Sequence, residues 1–168
     1  MDDLQAFVGL LLATDPDLMQ IFADLGQTDA DGNGVVQVMD ADARLAADYP
    51  RILLKVDEGD QHSTGDLSRA KFFDGRLHIE IVTRQTDAVL APLMLLYAIH
   101  NRVTDLLLGI PAKGDDPGLP GIKGQTLSGK WKCCCFDQVK PTGRMPVTDP
   151  AFKRHQATYS VKINRIGF

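Results

Sequence analysis

The sequence predicts an α+β fold in which N-terminal helices and one long helix pack on an antiparallel sheet of about four strands. Apolar and polar residues alternate over residues 52–57, 77–82 and 156–164, which is the period-2 pattern of half-buried strands. Residues 131–136 give a fourth strand. Because strands and helices are segregated along the chain, an antiparallel layer fold is favoured over a parallel one. A length of 168 residues is typical of one domain, and we expect residues 1–168 to form it.

Two helices are expected at the N-terminus. Asp2 or Asp3 can cap the first, whose apolar residues keep helical spacing up to Thr14. A second, shorter helix over residues 17–25 ends at Gly26, a residue type that commonly terminates helices. Both helices present one apolar face to a core.

The segments around the first two main strands contain fewer signals. Residues 35–39 predict a short edge strand. Residues 58–75 are polar and contain glycine, but they include Phe72 and Phe73. Two adjacent phenylalanines cannot both face one core, so one of them is a candidate for contact with another subunit.

A long helix follows and ends at Leu108. Its first part, residues 89–99, is apolar almost all the way round and includes Leu93 and Leu96, so one sheet face cannot cover it. We expect a neighbouring subunit to cover the remainder. The run is shorter than the ~20 residues that cross a bilayer and contains Pro92, so we expect no membrane span.

Residues 110–129 predict an extended loop, because they contain three prolines and five glycines. Loops of this length inside a compact domain are commonly functional. Leu119 and Ile122 within the loop, and Trp131 just after it, are candidate contacts with a partner. We expect the loop to be mobile in a free subunit and ordered against a neighbour.

Composition and motif content exclude several classes of function. The net charge of -4 argues against a dedicated nucleic-acid surface, and the acidic N-terminus does not resemble a secretory signal. The consecutive Cys133, Cys134 and Cys135 lack the spacing of metal ligands and are expected to be small buried residues. Since no catalytic arrangement can be named, we expect neither an enzyme nor a cofactor.

One loop has the residue pattern of a calcium site. Asp29, Asp31 and Asn33 alternate with small residues, and Asp40 stands at the twelfth position. This spacing would wrap oxygen ligands around one hard cation. The twelfth residue is an aspartate where EF-hands use glutamate, and the same residue types are ordinary turn formers, so a solvated turn is the preferred interpretation.

The chain presents its elements in a recognisable order. They are the N-terminal helix, the acidic loop after it, the strands at residues 49–54 and 75–83, the helix ending at 103–108 and the strand at 159–163. This order resembles the tail terminator or tail-completion proteins of tailed bacteriophages. The resemblance covers most of the chain.

The resemblance implies a virion structural protein of the tail or neck, made in the host cytoplasm. Such a subunit forms a homo-oligomeric ring, a hexamer in that family, which caps the tail tube. Its partners would be further copies of itself, the tail tube protein and the head-tail connector or neck proteins, while DNA would only pass through the channel. Two alternatives stay open: another neck or head-completion protein, and a small calcium-dependent binding module built on the Asp29 to Asp40 loop.

Overall fold

The computed structural model describes residues 2–41, 48–57, 72–87, 89–127 and 129–166. This part of the chain contains three helices and six strands. In chain order they are α1 (Asp2–Ala13), α2 (Pro16–Asp24), β1 (Val38–Asp40), β2 (Arg51–Asp57), β3 (Phe72–Arg84), α3 (Pro92–Leu108), β4 (Thr126–Leu127), β5 (Trp131–Met145) and β6 (Phe152–Arg165).

The six described strands form one mixed sheet in the order β1-β2-β3-β6-β5-β4, which curls into a half-barrel. β1 is parallel to β2, and the other neighbours are antiparallel. The prediction of about four antiparallel strands with a long helix and N-terminal helices packed on them is therefore wrong. β4 has only two residues, too few to show a hydrophobic period, β1 overlaps only the end of the edge strand predicted at residues 35–39, and β5 and β6 are much longer than predicted.

β5 extends beyond its predicted end at residue 136, and two irregularities interrupt its pairing with β6. The register shifts between Cys133 and Cys135 and again between Val139 and Gly143. An extra residue in one strand bends it locally and lets pairing resume further along. On its outer edge, β5 pairs with β4 only at Trp131 and Lys132.

The core lies between the three helices and one face of the sheet. Alternate residues of β6 point into it, with Tyr159 fully buried and its ring stacked on that of Phe136 at 5.1 Å between centroids. The Tyr159 hydroxyl lies 3.4 Å from the hydroxyl of Thr104 on α3, which joins helix and sheet. Burial is the main cause that raises the pKa of Tyr159.

A buried ion pair fixes α2 to α3. Asp15 caps α2 by accepting a hydrogen bond from the Leu18 N–H at 2.9 Å, and Arg102 of α3 donates to both carboxylate oxygens of Asp15 at 2.9 and 2.6 Å. Arg102 also lies 3.0 Å from Asp17. Burial alone would raise the pKa of Asp15, but the bonds from Arg102 and Leu18 hold it below its usual value.

Among the described helices, none is long and apolar enough by itself to cross a membrane. α1 and α2 reach that criterion of length and composition only as a pair, with a bend of 62° between them.

Candidate assembly interface

The N-terminal half of α3 and the segment just before it expose large apolar side chains, which we name the α3 face: Leu90, Met94 and Tyr97. Leu90 is 80% exposed, Met94 74% and Tyr97 41%. Met94 and Tyr97 are three residues apart within the helix, so they lie on one side of it, and Leu90 lies two residues before its start. The opposite side contains Leu96 and Ile99, which are fully buried. An exposed apolar cluster of this kind is typical of an interaction surface.

The start of α3 explains which side is exposed. The helix begins at Pro92 and not at residue 89, since proline suits the first turn of a helix. The Thr83 hydroxyl on β3 donates to the Pro92 carbonyl at 2.8 Å and is fully buried. This bond fixes the rotation of the helix on the sheet. The sequence predicted that part of residues 89–99 would need cover, but it did not identify the three exposed residues.

Of the seven residues predicted as interface contacts, six have described side chains, and all six belong to or pack against the core of their own chain. Leu96, Ile122 and Phe73 are buried in the core of their own chain, which leaves them no surface for a partner. The Phe72 side chain lies outside the described residues. Leu93, Leu119 and Trp131 are half-buried against the core, and for these three an interface role stays a prediction.

The glycine- and proline-rich segment after α3 has a built conformation. The N–H groups and carbonyls of Ile110 and Leu119 bond reciprocally at 2.9 Å, and Lys113 and Asp116 do the same at 3.0 and 3.1 Å, which makes a narrow hairpin. After the hairpin, the Ile122 N–H donates to the Leu107 carbonyl at 2.9 Å.

This segment also contributes to the core. Ile122 and Leu127 are fully buried there, so the expectation that its apolar residues would find contacts only on a partner is wrong. Gly121 has a φ of +69°, and a Cβ atom there would lie 2.7 Å from the Leu108 carbonyl carbon. Close backbone packing of this kind cannot be seen as hydrophobic periodicity.

The loop with the calcium-like pattern uses its main carboxylate internally. Asp29 accepts from the N–H groups of Asp31 and Asn33 at 2.9 and 2.8 Å and from the Asn33 amide at 3.2 Å. The backbone bond from Asn33 is the main cause that lowers the pKa of Asp29. Asp40 lies on β1 and accepts from Gln5 at 3.0 Å. Across the described ranges, no three acidic, histidine or cysteine side chains are grouped to hold a metal ion.

Two histidine rings contact each other at a tilt of 46° beneath the α3 face. The rings of His100 on α3 and His155 on β6 lie 4.0 Å apart between centroids, and the Tyr97 ring contacts that of His155 edge-on at 6.2 Å. His155 is 6% exposed, and neither of its ring nitrogens has a hydrogen-bond partner among the described residues. Burial lowers the pKa of both histidines; with the added effect of His155, it brings that of His100 to about 4.

The opposite face of the sheet is polar. His78 on β3 lies 2.8 Å from Asp57 and 3.0 Å from the Thr158 hydroxyl, and Arg154 pairs with Glu80 at 2.6 Å. Asp57, His78 and Thr158 have the order of a nucleophilic triad. They nevertheless stand on regularly paired strands, whose backbone N–H groups are used in the sheet and so supply no oxyanion hole. Their role is to cross-link neighbouring strands.

The three cysteines do not share one environment. Cys133 is buried, and burial raises the pKa of its thiol to about 12, whereas Cys134 and Cys135 are only half-buried. The register shift between Cys133 and Cys135 takes the latter two out of the core. The prediction of three buried cysteines is therefore confirmed only for Cys133.

Comparison with known proteins gives a fold relationship. No family model matches the chain, and no curated protein matches it in sequence. Among solved structures, it is similar to a chain of the "Virion of native gene transfer agent (GTA) particle", with a TM-score of 0.60 and 16% identity. The match covers 96% of this chain and 94% of that chain. At this identity, the likeness shows a shared fold.

Proposed function

We propose that this chain is a phage-type virion structural protein that acts through interfaces and not through chemistry. The observation that carries the proposal is the fold likeness to a chain of a gene transfer agent virion. It spans nearly the whole length of both chains, so it is not a likeness of one common motif. Fold alone does not specify function, and the arrangement of surface residues supplies the second support.

More specifically, we propose a tail terminator subunit that forms a homo-oligomeric ring, a hexamer, on the end of the tail tube. The ring would join the tube to the head-tail connector and leave a channel for DNA. The order of sequence elements that resembles tail terminators and the exposed α3 face both support this role. A ring requires that each copy offers a surface to its neighbour, and the α3 face has the composition of such a surface.

The α3 face has enough apolar area to matter energetically. Full burial of a large apolar side chain contributes roughly 1.5–3 kcal/mol. Leu90 and Met94 are 80% and 74% exposed, so each can contribute most of that amount when covered. Tyr97 adds a smaller apolar area and a hydroxyl that can bond at the rim.

Native mass spectrometry of the purified chain, with a matched pair of variants, tests self-association. Met94→Glu places a charge in the α3 face, and Leu10→Glu places one on α1, where Leu10 is 65% exposed. We expect a ring for the wild type and Leu10→Glu, and a monomer for Met94→Glu with an unchanged melting temperature. A monomeric wild type at high concentration, with or without tail tube protein, would contradict the proposed ring.

Polymerisation of purified tail tube protein tests the terminator role. A terminator binds the growing end and stops elongation, so we expect shorter tubes, each with a ring at one end in negative-stain images. Met94→Glu should lose this effect and Leu10→Glu should keep it. Tubes of unchanged length, with the chain bound instead to connector protein, would favour another neck or head-completion protein.

A further inference from the structure

We infer that self-association through the α3 face is acid-labile, and that the His100–His155 ring pair beneath this face releases it. The inference rests on the proposed function, because it needs a second copy seated on the α3 face. It adds a regulatory property that neither the fold likeness nor the resemblance to tail terminators implies.

The histidine pair is placed to link the α3 face to the sheet. His155 projects from the buried side of β6 and meets His100 of α3 ring to ring, at 4.0 Å between centroids. Tyr97, one turn before His100, belongs to the α3 face and also contacts His155. Any movement that separates the two rings therefore displaces a residue of the α3 face.

Among the residues that the structure describes, the surroundings of the pair offer no counter-ion for a protonated imidazole. Arg144 of β5 and Ile81 of β3 are opposite His155 in the sheet, so they share its face, and Lys153 shares it two residues earlier on β6. The Lys153 ammonium donates to the Pro150 carbonyl at 2.7 Å. From α3, the titratable groups facing the pair are Tyr97 and His100 themselves.

Glu80 and Arg154 are paired with each other, and their strand positions point to the opposite face of the sheet. The ionisable groups around the pair are therefore neutral or positive. A proton on His155 leaves a buried cation whose two ring nitrogens have no hydrogen-bond partner among the described residues.

The direction of the pH effect follows from linkage. Burial depresses the pKa of both histidines below the ordinary 6.5, so the packed state binds fewer protons than an opened one. The packing of α3 is then complete above pH 6.5 and weakens as pH falls from 6.5 towards about 4, the pKa of His100. Each pH unit in this window shifts the equilibrium by up to about tenfold per histidine.

Assembly strengthens the dependence of α3 packing on pH. A second copy on the α3 face removes more water from the partly exposed His100, which disfavours its charged form further. Protonation consequently opposes both the seating of α3 and the contact between copies. The effect is a loss of oligomer at a pH where the isolated subunit is still folded.

The experiment follows oligomer fraction by sedimentation velocity between pH 8 and pH 4.5, for the wild type and two variants. His155→Phe keeps a ring of similar size against His100 and removes the titration of residue 155. His78→Gln is the control, since His78 lies on the open face of the sheet. We expect the wild type and His78→Gln to lose oligomer between pH 6.5 and 4.5, by up to about tenfold per pH unit and histidine, and His155→Phe to lose clearly less.

Each outcome decides the inference. An oligomer that persists unchanged to pH 4.5, or one that His155→Phe loses as readily as the wild type, overturns the acid-release inference and leaves the proposed ring intact. A wild type that is monomeric at pH 8 contradicts the ring instead. If His155→Phe does not fold, NMR titration of the wild-type histidines tests the inference instead. Ordinary pKa values near 6.5 for both rings would overturn it directly.

Discussion

The ion pair between Asp15 and Arg102 allows a quantitative test of how α2 is held to α3. In Arg102→Leu the Asp15 carboxylate, only 5% exposed, keeps only bonds from backbone N–H groups, chiefly that of Leu18. Removing one partner of a buried pair costs about 3–5 kcal/mol. Because the Arg102 side chain is 22% exposed and water can approach it, we expect the lower end, about 3 kcal/mol.

Asp15→Asn should cost less, about 1–2 kcal/mol, for two reasons. Asparagine still caps the helix, and Arg102 keeps Asp17 at 3.0 Å. Since both changes disrupt the same contact, the double variant should cost clearly less than the sum of the two single ones. In a chain of this size, 3 kcal/mol corresponds to a fall in melting temperature of about 6–12 °C.

Urea denaturation at several pH values, together with calorimetry, measures these differences. The lowered pKa of Asp15 means that its contribution to stability is present above pH 3.8 and is lost as pH falls through the folded-state value. Asp15→Asn should lack this acid-sensitive component. A cost below about 0.5 kcal/mol for Arg102→Leu, which is typical of surface changes, would refute the argument; so would full additivity in the double variant.

Three further predictions concern the loops. Gly121→Ala should destabilise the fold far more than Gly124→Ala, and thermal melting compares them. Both glycines have positive φ, but a Cβ at residue 121 would meet backbone at 2.7 Å, while one at 124 meets nothing within 4 Å. Ile122→Ala should lower the free energy of unfolding by about 2–5 kcal/mol in urea denaturation, as for a core residue, and a negligible loss would mean that the loop does not belong to the core. Calcium should raise the melting temperature by no more than a degree or two in the wild type and in Asp31→Ala alike, and a larger rise abolished by that substitution would revive the calcium alternative.

The strands with one solvent-exposed and one buried face could be predicted from the sequence. Buried positions alternate in β2, in β6, as with Ala157, Tyr159 and Val161, and in β3 up to Ile81, and the predicted segments lie inside the observed strands. The three helices were also predicted, with ends that differ by a few residues. Both patterns depend on neighbours in sequence, which is why they can be recognised without a structure.

Features that depend on distant residues could not be predicted. β5 continues through Pro141 because its partner β6 extends alongside it, and β4 exists only through its pairing with Trp131 and Lys132. His100 and His155 are far apart in sequence, and their contact results from the packing of α3 on β6. The exposed side of α3 likewise depends on the bond from Thr83 to Pro92.

The outer edge of β5 bears on how large an assembly of this chain can become. A regular, uncovered strand edge can recruit further strands without limit, and the product is a fibril. Here Lys140 adds charge, Pro141 lacks an N–H group and the register shift before Gly143 breaks the repeat, so strand addition along this edge is blocked. Copies that meet through a helix face are instead related by a fixed rotation, which either closes on itself or leaves free ends. Substitutions that change the number of copies should therefore be found on α3 and not in the sheet.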